Sequence, residues 1–549
     1  MSRKLTAAAV IGILILAAAL RLWGAGWGLP DSRHYYSYHP DENMVFAAVQ
    51  KILGGSLEPG FYNYGSLYIY MTAGSIITGI GLGCINPDSS DASSLVRTLH
   101  GMYLAGRLTA LLLGLLTVYL VFRIGDRAYG RGTGLIAALF MAAMPIHVMH
   151  SRFLAVDVPA TFFISLVLLY SIRITQDKGL FRNYLCAGLF AGFAAATKYN
   201  AGLILLSPIV AHVLTNDSSM WKRIFNARVI SMLCIAAVGF LAGTPGVILN
   251  SAAFIRDFGY EMHHVQTGHG LVFVNTGLGW VYHFTHSLLP GMGLPLLLLA
   301  CLGLIYALKK RTAADVAMVA FVLVYYLMIG AAQVRFARYI IPLLPILALF
   351  AARVIVDLYR LGSRASRYHP AKFAATIVVI LLSGYSLLYS SALDGMYARQ
   401  DTRDRAAVWV RQNVKESESI GFATIPWFYT PPLDPSMGMY ADASRRFAAS
   451  QKFTDYRLVV PRYTDWDADQ LERNKPEHVI MSEFEYTDRL RLKDPDAAKY
   501  FGVLDQYYNL DERFADGPSI FGFDMPLIGK LPHDMSYASP TILIYSRKV

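Results

Sequence analysis

The chain has 549 residues, of which 55% are hydrophobic and 16% are charged, and its mean hydropathy is +0.39. A charged fraction well below the roughly 25% of soluble domains excludes a soluble globular enzyme and indicates a polytopic membrane protein. The net charge of +11 does not require a nucleic-acid partner, because Lys and Arg cluster in short segments between apolar runs, as in cytoplasmic loops.

Eleven apolar runs are candidates for membrane spans, and two short ones, 184–198 and 200–214, form a candidate bent pair. The runs lie at 5–23, 103–123, 133–150, 155–172, 184–198, 200–214, 228–248, 290–308, 313–330, 339–357 and 373–391. The first run has no small-residue cleavage site, which favours an uncleaved span over a signal peptide.

The distribution of Lys and Arg predicts the topology, since cytoplasmic loops are enriched in both. Arg3 places the N-terminus inside, and the arginines within 123–131 mark the next inside loop. A full span over the apolar run 65–83 would move these arginines outside. We therefore predict one long external loop over 24–102, with 65–83 lying on or dipping into the membrane surface. Eleven spans then place the C-terminus outside.

The composition changes after Ser391 to a charged, Pro- and Tyr-rich segment that has no spanning run. Its patterns predict an amphipathic helix at 405–414 and strands at 419–424, 478–482 and 541–546. We therefore predict a transmembrane domain over 1–392 and a small extracytoplasmic α/β domain over 393–549. The predicted location is the plasma (inner) membrane, with a cytoplasmic N-terminus.

Two acidic motifs lie on the predicted external face, beside apolar helices. The first is His39-Pro40-Asp41-Glu42, and the second places Asp157 directly before Val158-Pro159. Carboxylates in such places are costly to desolvate and are usually functional. They are also good helix-start residues, because Pro suits the first helical position and acids stabilise the first turn. Both interpretations stay open for Asp41, Glu42 and Asp157.

Cations form the second group of candidates. The segment 333–339 places Arg335 and Arg338 on the outer face, where the charge bias disfavours them. Arg binds phosphate through two parallel hydrogen bonds, so we predict a phosphate site; anchoring to lipid head groups is the alternative. Lys198 is a similar external cation between two short apolar runs, and broken helices often line cavities.

The external segment 249–289 contains five histidines, of which His283 and His286 have helical i, i+3 spacing. Because no carboxylate partner is evident, we prefer acceptor contacts or ordinary polar surface to a catalytic metal site; a requirement for a divalent cation stays open. The remaining candidates for substrate contacts are His39, Tyr64, Tyr199 and His269.

The order of the motifs resembles that of the GT-C glycosyltransferases. The closest branch is family 39, which includes protein O-mannosyltransferases and the aminoarabinose transferases that modify lipid A. The resemblance covers roughly residues 1–390. It is carried by His39–Glu42, Phe61–Leu67, Arg107, Gly125–Arg131, Ser151–Pro159, Ala196–Asn200 and Arg338–Pro345.

This resemblance implies a GT-C-like helical membrane protein that takes its sugar from a polyprenyl phosphate on the external face. It assigns the base to Asp41, with Glu42 beside it, and the second acid to Asp157. It assigns the donor phosphate to Arg335, Arg338 and Lys198. One departure is that Tyr64–Leu67 contains no Lys where the aminoarabinose transferases carry a Lys-Pro-Pro-type motif.

A single carboxylate suffices for direct, inverting displacement, because phosphate leaves as an anion and needs no general acid. The expected partners are the polyprenyl-phosphate sugar, a lipid, glycan or protein acceptor, and membrane lipids, without nucleic acid. The alternative is a transporter or flippase for a lipid-linked or polar substrate. Transporters favour ionisable residues near mid-membrane and paired repeats, whereas the candidates here collect on one face.

Overall fold

The computed structural model describes residues 2–548 except 178, 216–218, 366–369, 441, 454, 463 and 527–529. The longer helices are Arg3–Leu22, Pro40–Leu53, Leu67–Gly81, Ala92–Tyr129, Arg131–Ala142, Asp157–Gln176, Phe181–Thr197, Leu206–Thr215, Ala227–Gly243, Ser251–Thr267, Leu294–Lys310, Ala313–Ala331, Leu344–Ala365 and Pro370–Ala398. Short helical segments that connect them are Pro145–His150, Tyr199–Leu205, Met220–Ile224, Gly246–Leu249, Gly279–Tyr282, His283–Leu288, Leu289–Met292 and Ala337–Leu343.

Within the described ranges, six helices are long and apolar enough to cross a membrane. They are Arg3–Leu22, Ala92–Tyr129, Asp157–Gln176, Ala313–Ala331, Ala337–Arg360 and Lys372–Asn413. A seventh candidate is the bent pair Gly279–Met292 and Leu294–Lys310, whose axes turn by 117°. Each apolar run predicted from the sequence falls on one or more helices, and the predicted helical membrane fold is confirmed. The number of spans stays a prediction.

The segment after the last membrane helix forms an α/β unit around a five-stranded sheet. In spatial order the strands are Arg457–Val459, Ser419–Phe422, His478–Ser482, Ile542–Arg547 and Tyr508–Phe514. The first three are parallel to one another, and the last two pair antiparallel. The helices of this unit are Thr402–Asn413, Ala443–Ser450, Ala468–Asn474, Glu483–Arg491, Pro495–Tyr507 and His533–Met535. The predicted helix and three strands are thus confirmed.

Alternation along strand His478–Ser482 explains why helices cover both faces of the sheet. Ile480 packs in one buried cluster with helix Thr402–Asn413, whereas Val479 and Met481 pack in another with helix Pro495–Tyr507. Successive side chains of a strand point to opposite faces, so a strand that is apolar at every position is buried on both sides.

The α/β unit is joined by hydrogen bonds and ion pairs to the segment that follows the first helix. The buried Arg403 guanidinium lies 3.8 Å from the Tyr38 ring centre and donates to Asp401 at 2.8 Å. Asp401 also accepts from the Trp27 indole at 2.9 Å, and the Tyr38 hydroxyl donates to Asp404 at 2.6 Å. Buried charges are stable only when they are paired and hydrogen-bonded. This network therefore fixes the loop that leads to Asp41 against the C-terminal unit.

Glu485 gives the C-terminal unit a predictable pH dependence. Its buried carboxylate accepts a hydrogen bond from the Ser482 backbone N–H at 2.7 Å, yet burial raises its pKa to about 7. Because the folded state holds the Glu485 proton more tightly than the unfolded state, this group stabilises the fold most below pH 4.5. Its contribution to the free energy of unfolding is lost as the pH rises through 7. We expect Glu485→Gln to flatten this decline, which is worth about 3 kcal/mol.

The measurement is the unfolding temperature of the full chain in detergent between pH 4.5 and 8, for wild type and for Glu485→Gln. Glu483→Gln, at a half-buried position two residues earlier, is the matched control. Parallel pH curves for wild type and Glu485→Gln would show that Glu485 does not carry the dependence.

Candidate active site

Three acids and a lysine, each from a different segment of the chain, surround the side chain of Arg338. Its guanidinium lies 2.9 Å from the Asp41 carboxylate, 3.8 Å from Asp157 and 3.4 Å from Asp534. The Lys198 ammonium donates to the second oxygen of Asp157 at 2.7 Å. The structure thus brings together four residues that the sequence singled out, Asp41, Asp157, Lys198 and Arg338, with three acids to two cations overall. We call these five residues the Arg338 cluster.

Helix ends place these side chains. Asp41 lies in the first turn of helix Pro40–Leu53, and Asp157 is the first residue of helix Asp157–Gln176. Lys198 follows the last residue of helix Phe181–Thr197, and Arg338 opens the helical segment Ala337–Leu343. Acids are stabilised at helix N-termini, so the helix-start interpretation of Asp41 and Asp157 is confirmed, and their functional role stays a prediction that is compatible with it.

Asp534 was not singled out in the sequence. It lies in the short helical turn His533–Met535 of the C-terminal unit, and its carboxylate accepts from the backbone N–H groups of Ala337 and Arg338, both at 2.9 Å. Burial raises the pKa of Asp534, but the Arg338 charge and these two hydrogen bonds outweigh that effect and hold its pKa below the usual range. Asp534 therefore fixes the backbone and side chain of Arg338.

Exposure and hydrogen bonding distinguish the members of the cluster. The Asp41 side chain is 23% exposed, whereas Asp157 and Asp534 are 3% and 1% exposed. Both oxygens of Asp157 face a cation. Asp41 uses Oδ2 for Arg338, and its Oδ1 makes no hydrogen bond with any residue that the structure describes. Asp41 is therefore the acid that an incoming hydroxyl can reach.

Glu42 points away from the Arg338 cluster into a buried ion pair. Its two oxygens accept from Arg107 Nε and NH2 at 2.8 and 2.7 Å, and also from the Leu154 N–H at 2.7 Å. The Ser37 hydroxyl donates to the same carboxylate. Both charged side chains are at most 1% exposed. This geometry gives Glu42 a structural task, namely to pin the start of helix Pro40–Leu53 to helix Ala92–Tyr129.

The Tyr-rich stretch 62–66 packs against the segment that carries Lys198. The Tyr199 hydroxyl donates to the Tyr62 and Tyr64 carbonyls at 2.7 and 3.0 Å. A Cβ on Gly65 would lie 2.0 Å from the Ala196 carbonyl oxygen, so only glycine permits this approach. Tyr199 thus holds the loop that carries Tyr64, and its predicted contact with substrate stays a prediction.

His39 and Tyr64 border the cluster. The buried His39 ring packs 4.4 Å from Phe153 between ring centres, and neither ring nitrogen has a described partner. Burial lowers the pKa of His39 to about 3, so its ring is neutral near pH 7. Burial and the charge of Asp41 raise the pKa of the Tyr64 phenol well above its usual range. Tyr64 is therefore a hydrogen-bond donor near Asp41.

Arg335 and His269 lie beside the cluster rather than in it. Arg335 donates to the Thr276 hydroxyl at 2.9 Å and to the Gly277 carbonyl at 2.7 Å, and no carboxylate in the described part of the chain pairs with it. The ring centres of His269 and Phe336 are 5.2 Å apart, and the Phe336 ring centre lies 3.9 Å from the central carbon of the Arg338 guanidinium.

The described residues do not provide a metal site at these acids. No group of three or more His, Cys, Asp or Glu with metal-ligand geometry occurs among them. Arg338 contacts both Asp41 and Asp157, and Lys198 takes the other oxygen of Asp157. A divalent ion at Asp157 would have to displace these cations.

Comparisons with known proteins agree with this architecture. Residues 95–245 match the family model of dolichyl-phosphate-mannose-protein mannosyltransferases. No match was found among curated proteins by sequence. The fold is similar to that of the oligosaccharyltransferase AglB from Archaeoglobus fulgidus in complex with an inhibitory peptide and a dolichol-phosphate. That similarity has a TM-score of 0.52 and 13% identity, over 96% of this chain and 77% of the other.

ArnT from Cupriavidus metallidurans has a similar fold in two states. Its apo structure gives a TM-score of 0.51 and 16% identity, covering 88% of this chain and 94% of ArnT. The structure of ArnT bound to undecaprenyl phosphate gives a TM-score of 0.50 and 15% identity, covering 99% of this chain and 98% of ArnT. The resemblance that the motifs indicated is thus confirmed, and the chain has the fold seen in AglB and ArnT.

Proposed function

We propose that the protein transfers a sugar from a polyprenyl-phosphate donor to an acceptor hydroxyl on the external face of the membrane, with inversion. The observation that carries this proposal is the geometry of Asp41. One of its oxygens is held by Arg338 at 2.9 Å, and the other has no partner in the described structure. A partly exposed carboxylate beside an anchored guanidinium suits a base that works next to a phosphate.

The donor arrives from the bilayer. Each buried methylene of a polyprenyl chain contributes about 0.8 kcal/mol, so the chain stays in the membrane and its phosphate sits at the interface. Arg338 and Lys198 are the cations of the cluster, and Arg suits bidentate phosphate binding. A phosphate at Arg338 competes with Asp41 for the guanidinium and thereby frees the Asp41 carboxylate for the acceptor.

The proposed reaction is one displacement. Asp41 Oδ1 accepts the proton of the acceptor hydroxyl while the hydroxyl oxygen attacks the anomeric carbon opposite the phosphate. The bond between this carbon and the phosphate oxygen breaks, and polyprenyl phosphate leaves with the electron pair. Arg338 and Lys198 stabilise the charge that develops on the phosphate. The proton then passes from Asp41, which is 23% exposed, to water.

The solved relatives support this choice of donor, because ArnT has been seen with undecaprenyl phosphate and AglB with dolichol-phosphate and a peptide. The proposed acceptor classes are a lipid, a glycan or a protein hydroxyl. The proposed location is the plasma (inner) membrane, with the N-terminus cytoplasmic and 393–549 extracytoplasmic.

Arg338→Ala should weaken donor binding by about 1.5–3 kcal/mol, the value of a charge-assisted hydrogen bond, or roughly 10–150-fold in Kd. Arg335→Ala is the matched control, since Arg335 contacts only neutral groups in the described structure. The measurement is polyprenyl-phosphate binding to both purified variants. A larger loss for Arg335→Ala would move the phosphate to that residue. Unchanged affinity in both would leave head-group anchoring as their role.

The topology makes a separate prediction. A fluorescent protein that folds only in the cytoplasm should be dark when fused to the C-terminus, because the predicted topology has eleven spans and a cytoplasmic N-terminus. The same reporter fused in place of residues 126–549 should be bright, since residues 123–131 are predicted to lie inside. A bright C-terminal fusion would overturn the loop assignment, most directly at 65–83.

Transfer and transport are separated in one proteoliposome experiment. Vesicles that contain the protein receive a radiolabelled polyprenyl-phosphate sugar and a water-soluble acceptor alcohol. A transferase makes a labelled glycoside that stays in the water phase after lipid extraction, and Asp41→Asn slows its formation about 10²–10⁴-fold. A flippase instead makes the intact donor accessible on the second leaflet and forms no glycoside, which would refute the proposed function.

A further inference from the structure

A small hairpin in the C-terminal unit displays two phenylalanines to the surroundings. Its strands, Ser519–Ile520 and Phe523–Asp524, pair antiparallel and leave Phe521 and Gly522 as a two-residue turn. Phe521 is 92% exposed and Phe523 is 77% exposed. These are the two most exposed large apolar side chains in the described structure. Clustered exposure of this kind marks an interaction surface.

The backbone holds the hairpin in a defined shape. Both turn residues have positive φ, +51° for Phe521 and +84° for Gly522, as a tight turn between twisted strands requires. A bulky residue such as Phe is uncommon at positive φ, where Asn or Gly costs less. Phe521 thus occupies the turn despite a conformational cost, and among the described residues it makes no buried contact that would offset this cost.

The base of the hairpin is attached to the end of the last membrane helix. Arg399 NH2 donates to the Ser519 carbonyl at 3.1 Å, just after helix Pro370–Ala398. A Cβ on Gly395 would lie 2.9 Å from the same carbonyl oxygen, so helix and strand are in close contact. The Met525 side chain packs on the main helical core. The hairpin is therefore fixed relative to this helix.

The exposed apolar surface of the same helix gives the expected edge of the hydrocarbon layer. Its exposed apolar side chains continue to Leu388, which is 53% exposed in a candidate span. At 1.5 Å per residue, Gly395 lies about 10 Å further along the axis. The interfacial layer that amphipathic segments occupy is about 5–10 Å deep. From this rise we expect the hairpin base at the height of the lipid head groups. Between Ser519 and Met525 the chain has one charged residue, Asp524.

We propose that this hairpin inserts Phe521 and Phe523 into the interface of the leaflet that adjoins the C-terminal unit. The surface is continuous with a membrane helix, which favours lipid over a second protein copy as its occupant. Insertion would give the C-terminal unit a second attachment to the bilayer beside helix Pro370–Ala398. Because that unit supplies Asp534, the attachment would hold Arg338 at a fixed height over the membrane.

Spin-label accessibility in lipid nanodiscs of phosphatidylcholine and phosphatidylglycerol tests the proposal on the full chain. Nitroxides are placed at Phe521→Cys and, as a second site, Phe523→Cys. Leu381→Cys, 65% exposed on the membrane helix, is the lipid control, and Lys499→Cys, 60% exposed in an ion pair on the C-terminal unit, is the water control. The native cysteines are first replaced by Ser: Cys84, Cys186, Cys234 and Cys301.

We expect the ratio of oxygen to nickel-chelate collisions at 521 and 523 to shift severalfold from the Lys499 value toward the Leu381 value. A ratio equal to that at Lys499 would place the hairpin in water and overturn the proposal. Low collision rates with both reagents would indicate a protein contact, such as a second copy, and would overturn it equally. None of these results depends on transferase activity.

Discussion

Asp41→Asn should reduce turnover per folded molecule by about 10²–10⁴-fold, which is the usual contribution of a general base. The amide keeps the size of the side chain and a carbonyl oxygen for Arg338, but it cannot accept the hydroxyl proton. The unfolding temperature should change little, because a partly exposed helix-start acid contributes only about 0.3–1 kcal/mol. Donor affinity should be retained or improved, since one competitor for Arg338 loses its charge.

Turnover, unfolding temperature and donor Kd are measured on the same purified variant. Asp157→Asn is the matched control within the cluster, since Asp157 faces two cations and is only 3% exposed. Removing its charge leaves Lys198 unpaired and should lower stability as well as activity. Near-normal turnover for folded Asp41→Asn would exclude Asp41 as the base and transfer that role to Asp157.

Glu42→Gln, one residue further, should give the opposite pattern. Breaking a buried ion pair by removing one partner typically destabilises a protein by about 3–5 kcal/mol, because the other charge stays buried without compensation. Here the uncompensated group would be Arg107, which is 1% exposed. We expect a large fall in unfolding temperature and folded yield, with turnover per folded molecule changed far less than in Asp41→Asn.

A double variant separates the ion pair from any chemistry of Glu42. Glu42→Gln combined with Arg107→Met removes both charges and should recover part of the lost stability. Recovery will be incomplete, because Arg107 also donates to the Ala25 and Trp27 carbonyls at 2.8 and 2.6 Å. If Glu42→Gln instead keeps its unfolding temperature and loses turnover, Glu42 takes part in the reaction.

Apolar runs predicted the helices because a bilayer-spanning helix must be apolar over most of its length. They could not predict where helices break. The run 133–150 divides into Arg131–Ala142 and Pro145–His150, and 339–357 begins as the tighter helical segment Ala337–Leu343. The strands at 478–482 and 541–546 were predictable because short apolar runs that contain β-branched residues favour a buried strand over a helix.

For the site, the charge bias placed Asp41, Asp157, Lys198 and Arg338 on one face. The structure links them in a chain of ion pairs, from Asp41 through Arg338 and Asp157 to Lys198. The same bias could not separate Arg338 from Arg335. The two are three positions apart, and charge bias does not predict which guanidinium points toward the acids. It also could not find Asp534, which lies 197 positions after Ala337 in a segment without apolar periodicity. The partner of Glu42 could have been predicted from the sequence. Arg107 lies within an apolar run, and an Arg in such a run needs a counter-charge.

The most direct test is the release of polyprenyl phosphate from a panel of polyprenyl-phosphate sugars by the purified protein in nanodiscs. Each donor is incubated with lipid, glycan and peptide acceptors, and product is quantified by mass spectrometry. We predict at least one donor that yields polyprenyl phosphate and glycoside in equal amounts, at a rate that falls about 10²–10⁴-fold in Asp41→Asn. Equal rates for wild type and Asp41→Asn with a productive donor would contradict catalysis by Asp41 in the Arg338 cluster.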